Sequence, residues 1–280
     1  MDSTLNRMEA AFIKKNAARN AQRGHLGLST AGSMCTRKLW YGFRWVQEKE
    51  EATARLQRLW RRGDREEAVF IELLRDAGVT VYDLDTNGKQ FNHTFSDGHG
   101  GGSMDAVLVN TAEFGLEPAL GEFKTHNDAS FNRLVTQGLT RAHFSHYIQM
   151  QMYMKAFHLR VGLYFAVNKN NDELHVEKVL YAPLVAERFY KRMEGLVWLK
   201  EPPPRIAKSP SEWACVFCPY KKICFRGEGV LKNCRTCKHS EPLRGGNALW
   251  ACKHTGESLP LSKQRKGCLD YEVLDVLVSP

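Results

Sequence analysis

In the stretch LGEFKTHND, residues 120–128, Glu122 and Lys124 stand two positions apart where an apolar run ends. Strand side chains alternate between faces, so the carboxylate and the ammonium share one side while Phe123 and Thr125 take the other. A surface ion pair has the same spacing and is worth only about 0–1 kcal/mol. A third charge gives this pair chemical interest. The segment HGGGSMDAVLVN puts Asp105 on a strand just after a Gly-rich turn, and in a meander that strand lies beside the one bearing Glu122. Asp105, Glu122 and Lys124 then converge at adjacent strand ends. Two carboxylates held close repel unless a proton or a divalent cation lies between them. Magnesium suits that place because it accepts one or two carboxylates and keeps several waters. A lysine beside it can orient or help deprotonate an attacking water while balancing charge on a phosphate.

Two further segments offer groups to the same chemistry. In RRGDREEAVFIELL, Glu67 falls four residues after Gly63 on a helix and could add an oxygen to the cation or its water shell. A surface glutamate among arginines is the alternative, and Glu66 is the rival. In HYIQMQMYMKAF, Gln149 and Tyr153 share a helix face and could hold a phosphate or a base, although a Gln and a Tyr at that spacing also serve as half-buried packing residues.

The elements that must position these groups follow from periodicity and turn chemistry. Helical patterns cover 5–23, part of 28–45, 51–77, 143–157 and 184–199, and extended segments cover 79–85, 89–96, 103–109, 119–125, 160–168 and 174–182. The fold class expected is α/β, of the α+β kind with a mixed sheet and flanking helices. Along 51–77, Arg55, Arg58, Arg62 and Arg65 recur at three- and four-residue steps as a basic stripe, which a solvated face would also show. The Pro-rich EPPPR at 201–205 ends the main domain.

A chain of 280 residues, 43% hydrophobic and 25% charged, can bury one sizeable core plus something small. No apolar run reaches the roughly 18–20 residues that a membrane span needs, and the start lacks a signal peptide's apolar stretch, so a cytoplasmic protein is expected. The formal charge of +9 suits a polyanionic partner.

The eight cysteines form two sets. Cys215-x2-Cys218-x5-Cys224 lies in WACVFCPYKKICF with Cys35 far upstream, and Cys234-x2-Cys237-x14-Cys252-x15-Cys268 fills the tail. Clustered thiols in a reducing compartment are metal ligands more often than disulfides. The tail set suits tetrahedral Zn²⁺, which would supply nearly all the folding energy of about 40 residues. His239 and His254 are substitute ligands or surface residues, and Lys263, Arg265 and Lys266 are phosphate contacts or a solvated loop.

Gly63 to Glu67, Gly102 to Asp105, Glu122 to Lys124, and Gln149 with Tyr153 occur in the order and rough spacing of the RecB-like nucleases of the PD-(D/E)XK superfamily, and the chain resembles them over about residues 25 to 225. The placement of Cys35, Cys215, Cys218 and Cys224 looks like the iron–sulfur branch, which includes AddB-type nuclease domains and exonucleases associated with CRISPR adaptation. LSTAGSMCTRKLWYGFRW, EFKTHNDASF and VNKNNDEL look closer still to stand-alone exonucleases of tailed bacteriophages. Many relatives carry histidine where Glu67 stands.

The resemblance implies a restriction-endonuclease-like core in a nuclease domain over 1–228, closed by a 4Fe–4S cluster, where a four-thiolate site would also suit zinc, and a zinc-ribbon-like module over 229–280. The cluster would tie Cys35 to Cys224, 189 positions away, and so close a long loop. It implies a DNA exonuclease using Mg²⁺ or Mn²⁺ held by Asp105, Glu122 and the carbonyl of Phe123. Lys124 would act on the water and phosphate, Glu67 would complete the metal environment, and Gln149 and Tyr153 would orient the strand. Arg58, Arg62, Arg37, Lys38 and Arg44 would track DNA, with Thr125, His126 and Asn127 touching substrate. Linear DNA ends, a homo-oligomer or a phage replication or recombination protein are the expected partners, and no membrane. A catalytically silent DNA-binding protein and an end-trimming nuclease working in a complex are the alternatives.

Overall fold

The computed structural model describes residues 3–17, 22–245 and 247–279. The elements run α1 (Thr4–Lys15), β1 (Leu26–Gly27), α2 (Thr36–Phe43), α3 (Ala54–Asp76), β2 (Thr80–Tyr82), β3 (Asn92–Phe95), β4 (Gly100–Ser103), β5 (Ala106–Val109) and β6 (Ala119–His126). They continue with α4 (Asp128–Gln137), α5 (Leu139–Ala142), α6 (Phe144–Ala156), β7 (Val161–Asn168), β8 (Leu174–Leu180) and α7 (Pro183–Trp198). The remainder comprises α8 (Lys221–Arg226), β9 (Ser240–Pro242), β10 (Trp250–Cys252), β11 (Ser258–Leu259), α9 (Leu261–Gln264) and α10 (Asp275–Val278). The fold is mixed α+β with mixed sheets. Helix α1 stops well short of the expected residue 23, and residues 18–21 lie outside the described residues.

The chain divides into two compact units. One holds α1, Glu50–His93 and Ser103–Phe189; the other holds Gln22–Lys49, Thr94–Gly102 and the chain from Tyr190 on.

In the first unit a five-stranded sheet has the order β2-β5-β6-β7-β8, antiparallel except for the parallel pair β6 and β7. A parallel neighbour requires a crossover, and the chain between β6 and β7 supplies α4, α5 and α6. Strand β7 is buried at every position, as a central strand covered on both faces should be. Helix α3 starts at Thr53, whose side chain accepts from Leu56 N. Its Phe70 stacks on Phe123 at 5.4 Å, and Phe123 meets Phe165 at 5.4 Å. Phe123 thereby faces the core beneath α3, which sends its neighbours Glu122 and Lys124 to the opposite side of the sheet.

The second unit contains all eight cysteines. Its tail contains a small buried core. Strands β9, β10 and β11 form an antiparallel sheet in the order β11-β10-β9 around Trp250, which is fully buried. The fully buried Arg235 lies 3.8 Å from the Trp45 ring and donates to the carbonyls of Phe43 and Gly24 and to Gln264 Oε1. These contacts fasten the tail to residues 22–49 of the same unit, so the two segments belong together although they are far apart in sequence. Among the described residues no helix is long and apolar enough to cross a membrane.

Candidate active site

Asp105 occupies the bend ahead of β5 rather than a strand, because the glycines that read as a turn form β4. From that bend its Oδ2 accepts the amide of Phe123 at 3.0 Å, which fastens it to β6. Lys124 Nζ lies 3.8 Å from the same oxygen, donates to the Phe123 carbonyl at 3.1 Å and donates to Glu122 Oε1. The expected convergence of Asp105, Glu122 and Lys124 is therefore present, with Phe123 O beside them.

Glu122 is fully buried. Gln149, from α6, donates to the same Oε1 that receives Lys124, while Oε2 is buried without a partner. Burial pushes the Glu122 carboxyl up to about 7, Lys124 partly opposing this and Asp105 adding to it. Burial likewise pushes Glu67 up to about 7, with the negative charge of Asp105 adding. Burial by itself would discharge Lys124, but Glu122 and Asp105 outweigh it and raise the amine to about 12. The two carboxylates thus favour the ammonium form of Lys124.

Glu67, Asp105, Phe123, Lys124, Thr125 and His146 line one cleft, joined by Trp60 and Gly63 of α3. A buried carboxylate oxygen without a partner beside a half-buried second carboxylate is a hard-oxygen donor set of the kind Mg²⁺ accepts. In their present positions, no three His, Cys, Asp or Glu side chains among the described residues form a metal-holding group.

Other expected site residues are placed differently. His126 is only 5% exposed, so it is not presented to DNA as expected; Asn127 is exposed and caps α4, accepting from Ser130 N at 2.9 Å, and Thr125 alone of the three lines the cleft. Tyr153 is buried at 3% exposure, which removes it from direct contact with a strand. Gln149 serves Glu122 instead. Arg58 pairs with Glu9 at 3.2 Å, and Arg62 donates to Lys169 O at 2.9 Å while lying 3.8 Å from Glu66. Arg37 and Arg44 are buried and spend their donors on Tyr41 and on the carbonyls of Pro203, Leu199 and Arg235, so the DNA track expected of them is closed to both; Lys38 is exposed.

Sequence reasoning passed over Ser130, His143, His146 and Tyr164. His126 Nε2 and His146 Nδ1 each lie 2.8 Å from the Tyr164 hydroxyl, and His126 Nδ1 lies 2.9 Å from Ser130 Oγ. The only signal was three histidines within 21 residues, His126, His143 and His146.

In the second unit Cys35, Cys215, Cys218 and Cys224 line one cavity with Lys38 and Tyr220. None of the eight cysteines is in a disulfide. Burial, with Cys218 and Cys224 adding, raises the Cys215 thiol. In the tail set, burial and the neighbouring Cys237, Cys268 and Cys252 push Cys234 up to about 11, and its Sγ donates to the carbonyls of Lys266 and Lys263. Mutual repulsion among thiolates is the condition a bound cation relieves. His239 pairs with Glu272 at 2.7 Å, and His254 lies 3.8 Å from Asp270.

No protein-family model matches the chain, and no curated protein matches it. Among solved structures, it is similar to LHK-Exo, the alkaline exonuclease of Laribacter hongkongensis, in complex with dAMP, at 16% identity and a TM-score of 0.45 over 64% of this chain and 88% of that one. SSO0001 matches at 14% identity and a TM-score of 0.44, over 83% of this chain and 100% of that one. A phage related exonuclease from Haemophilus somnus 129PT matches at 12% identity and a TM-score of 0.41, over 57% and 77%.

Proposed function

We propose that this chain is a cation-dependent deoxyribonuclease of PD-(D/E)XK type that removes nucleotides from linear DNA ends. One observation carries the reading: Glu122 has one oxygen committed to Lys124 and Gln149 and the other buried without a partner, next to the Asp105 carboxylate. Asp105, Glu122 and the carbonyl of Phe123 would hold Mg²⁺ or Mn²⁺, with Glu67 completing the surroundings. Such a cation lowers the pKa of bound water and stabilises charge on phosphate oxygens.

The chain's own groups do the rest. Lys124, as an ammonium, donates to a phosphate oxygen and offsets charge that grows there. Glu67, with its carboxyl near 7, is matched to accepting a proton at neutral pH. Gln149 fixes the Glu122 carboxylate so that its second oxygen keeps its direction. Exposed Arg55 and Arg65 on α3 supply positive charge along the helix that borders the cleft.

The reading extends to the second unit, where Cys35, Cys215, Cys218 and Cys224 would hold a structural 4Fe–4S cluster and Cys234, Cys237, Cys252 and Cys268 a Zn²⁺ ion. A phage replication or recombination setting in a host cytoplasm follows from the resemblance. End-labelled linear DNA and closed circles, single- and double-stranded, test the activity with Mg²⁺, Mn²⁺ or EDTA. Metal-dependent release of short products from linear DNA alone is expected. Cutting of circles would make the enzyme an endonuclease, and binding without cleavage under either metal would favour a silent DNA-binding protein.

A further inference from the structure

Three histidines, a tyrosine and a serine form a continuous hydrogen-bonded chain that ends at the cleft. His143 Nε2 lies 3.3 Å from both the carbonyl and the hydroxyl oxygen of Ser130. That hydroxyl is 2.9 Å from His126 Nδ1, His126 Nε2 is 2.8 Å from the Tyr164 hydroxyl, and this hydroxyl is 2.8 Å from His146 Nδ1. His126 and Tyr164 are buried, whereas His143 and His146 at the two ends are partly exposed.

The direction of the chain follows once the Ser130 hydroxyl spends its own hydrogen within it. A carbonyl only accepts, so His143 carries its hydrogen on Nε2. The Ser130 hydroxyl receives that N–H and gives its own hydrogen to His126 Nδ1. A neutral imidazole that accepts on Nδ1 bears its hydrogen on Nε2, so His126 donates to Tyr164. Tyr164 then donates to His146 Nδ1. His146 is left as the neutral tautomer whose hydrogen is on Nε2, the nitrogen the chain does not use. Burial holds both imidazoles neutral, lowering His126 to about 4 and His146 to about 3, with His143 and Lys124 among the charges that add.

His146 also lines the cleft that contains Lys124, Asp105 and Glu67. We propose that His146 is a further substrate-contacting residue, a neutral Nε2–H donor to a non-bridging oxygen of the scissile phosphate, with Tyr164, His126, Ser130 and His143 as positioning residues that set its tautomer. The inference rests on the nuclease reading of the same cleft. A neutral donor is useful there because it stabilises added phosphate charge without competing with a cation for the carboxylates. It works only if the tautomer is fixed beforehand, which is what the chain achieves.

The test has two arms. Ring-nitrogen NMR of the ¹⁵N-labelled full chain reads the tautomer without any need for activity; His146 with hydrogen on Nε2 is expected, and a hydrogen on Nδ1 would overturn the proposal. Cleavage of linear DNA with Mg²⁺ is then compared for wild type, His146→Asn, His146→Gln and Tyr164→Phe, each checked for an unchanged melting profile. Gln places an amide nitrogen near the position of Nε2 and Asn does not. His146→Asn should lose about 10²–10³-fold in kcat with KM little changed, and His146→Gln should recover about tenfold of that loss. Tyr164→Phe should lower kcat and release the His146 tautomer in the spectrum. Equal cleavage by wild type and His146→Asn would overturn this proposal and leave the nuclease reading intact. A wild type that cuts no DNA would overturn both, while the spectrum would still report the tautomer.

Discussion

Gln149 donates to the same oxygen of Glu122 that receives the Lys124 ammonium, so two donors from a helix and a strand hold one carboxylate by one edge. Removing the amide leaves that edge with a single partner and lets the carboxylate turn. Gln149→Ala should cost about 1–3 kcal/mol of stability, since a buried acceptor loses a partner. It should also weaken Mg²⁺ affinity or activity about 10–100-fold, the usual effect of losing a group that orients a ligand. Calorimetric titration with Mg²⁺ and denaturant unfolding check both effects.

The metal-free protein should lose stability as pH rises toward and through 7. Glu122 and Glu67 have carboxyls near 7 in the fold against an ordinary value of 4.5. Between those values the folded state binds more protons than the unfolded chain, so stability is fully present below about 4.5 and declines as pH rises through 7. Mg²⁺ bound at these carboxylates would replace the protons, so the rise in Tm that it produces should be larger at pH 8 than at pH 6. Thermal melts in EDTA and in Mg²⁺ across that range give the answer; a metal-induced shift independent of pH would place the cation elsewhere.

Gly162 on β7 is held by space. A methyl group there would stand 3.0 Å from Met150 Cε and 3.2 Å from the Leu120 carbonyl oxygen, both in the packing between α6 and the central strands. Gly162→Ala should destabilise by about 1–3 kcal/mol, the range for an overfilled core. At Gly63 the same methyl would meet nothing within 4 Å, and Gly63→Ala in the middle of α3 should gain roughly 0.5–1 kcal/mol. Urea unfolding of the two variants compares them directly.

Metal analysis of anaerobically prepared protein should find about four iron atoms and one zinc per chain. Cys215→Ser should lose iron and keep zinc, and Cys252→Ser should do the reverse. Because Arg235 and Trp250 give the tail a buried core, loss of zinc should lower its melting point without leaving it unfolded. Complete loss of structure on zinc removal would show that the core is too small to hold alone.

The strand bearing Glu122 and Lys124 was legible because period-two alternation is local: Glu122, Lys124 and the core-facing Phe123 follow from eight residues of sequence. Asp105 was legible as a partner but not in its bend, since Gly100 to Gly102 read equally well as turn or strand. His126 and Asn127 have side-chain partners that were not legible in the sequence. Their partners are a helix cap on Ser130 N and a buried chain through Tyr164, and the second of these exists only once β6, β7 and α6 are packed. The unit boundary was illegible because the contacts that define it join Trp45 to Arg235, 190 positions apart. Arg37 and Arg44 carried charges that suggested DNA, yet their neighbours Trp40 and Tyr41 draw the same face inward.

The cleft around Glu122 and Lys124 is expected to perform phosphodiester hydrolysis. Single-turnover cleavage of end-labelled linear DNA by wild type and Lys124→Ala, with DNA affinity measured alongside, tests it most directly. Mg²⁺-dependent cleavage by wild type is expected, with a drop of about 10²–10³-fold in the variant and DNA affinity within a few-fold of wild type. Cleavage by Lys124→Ala at the wild-type rate would contradict it and move the chemistry away from this cleft.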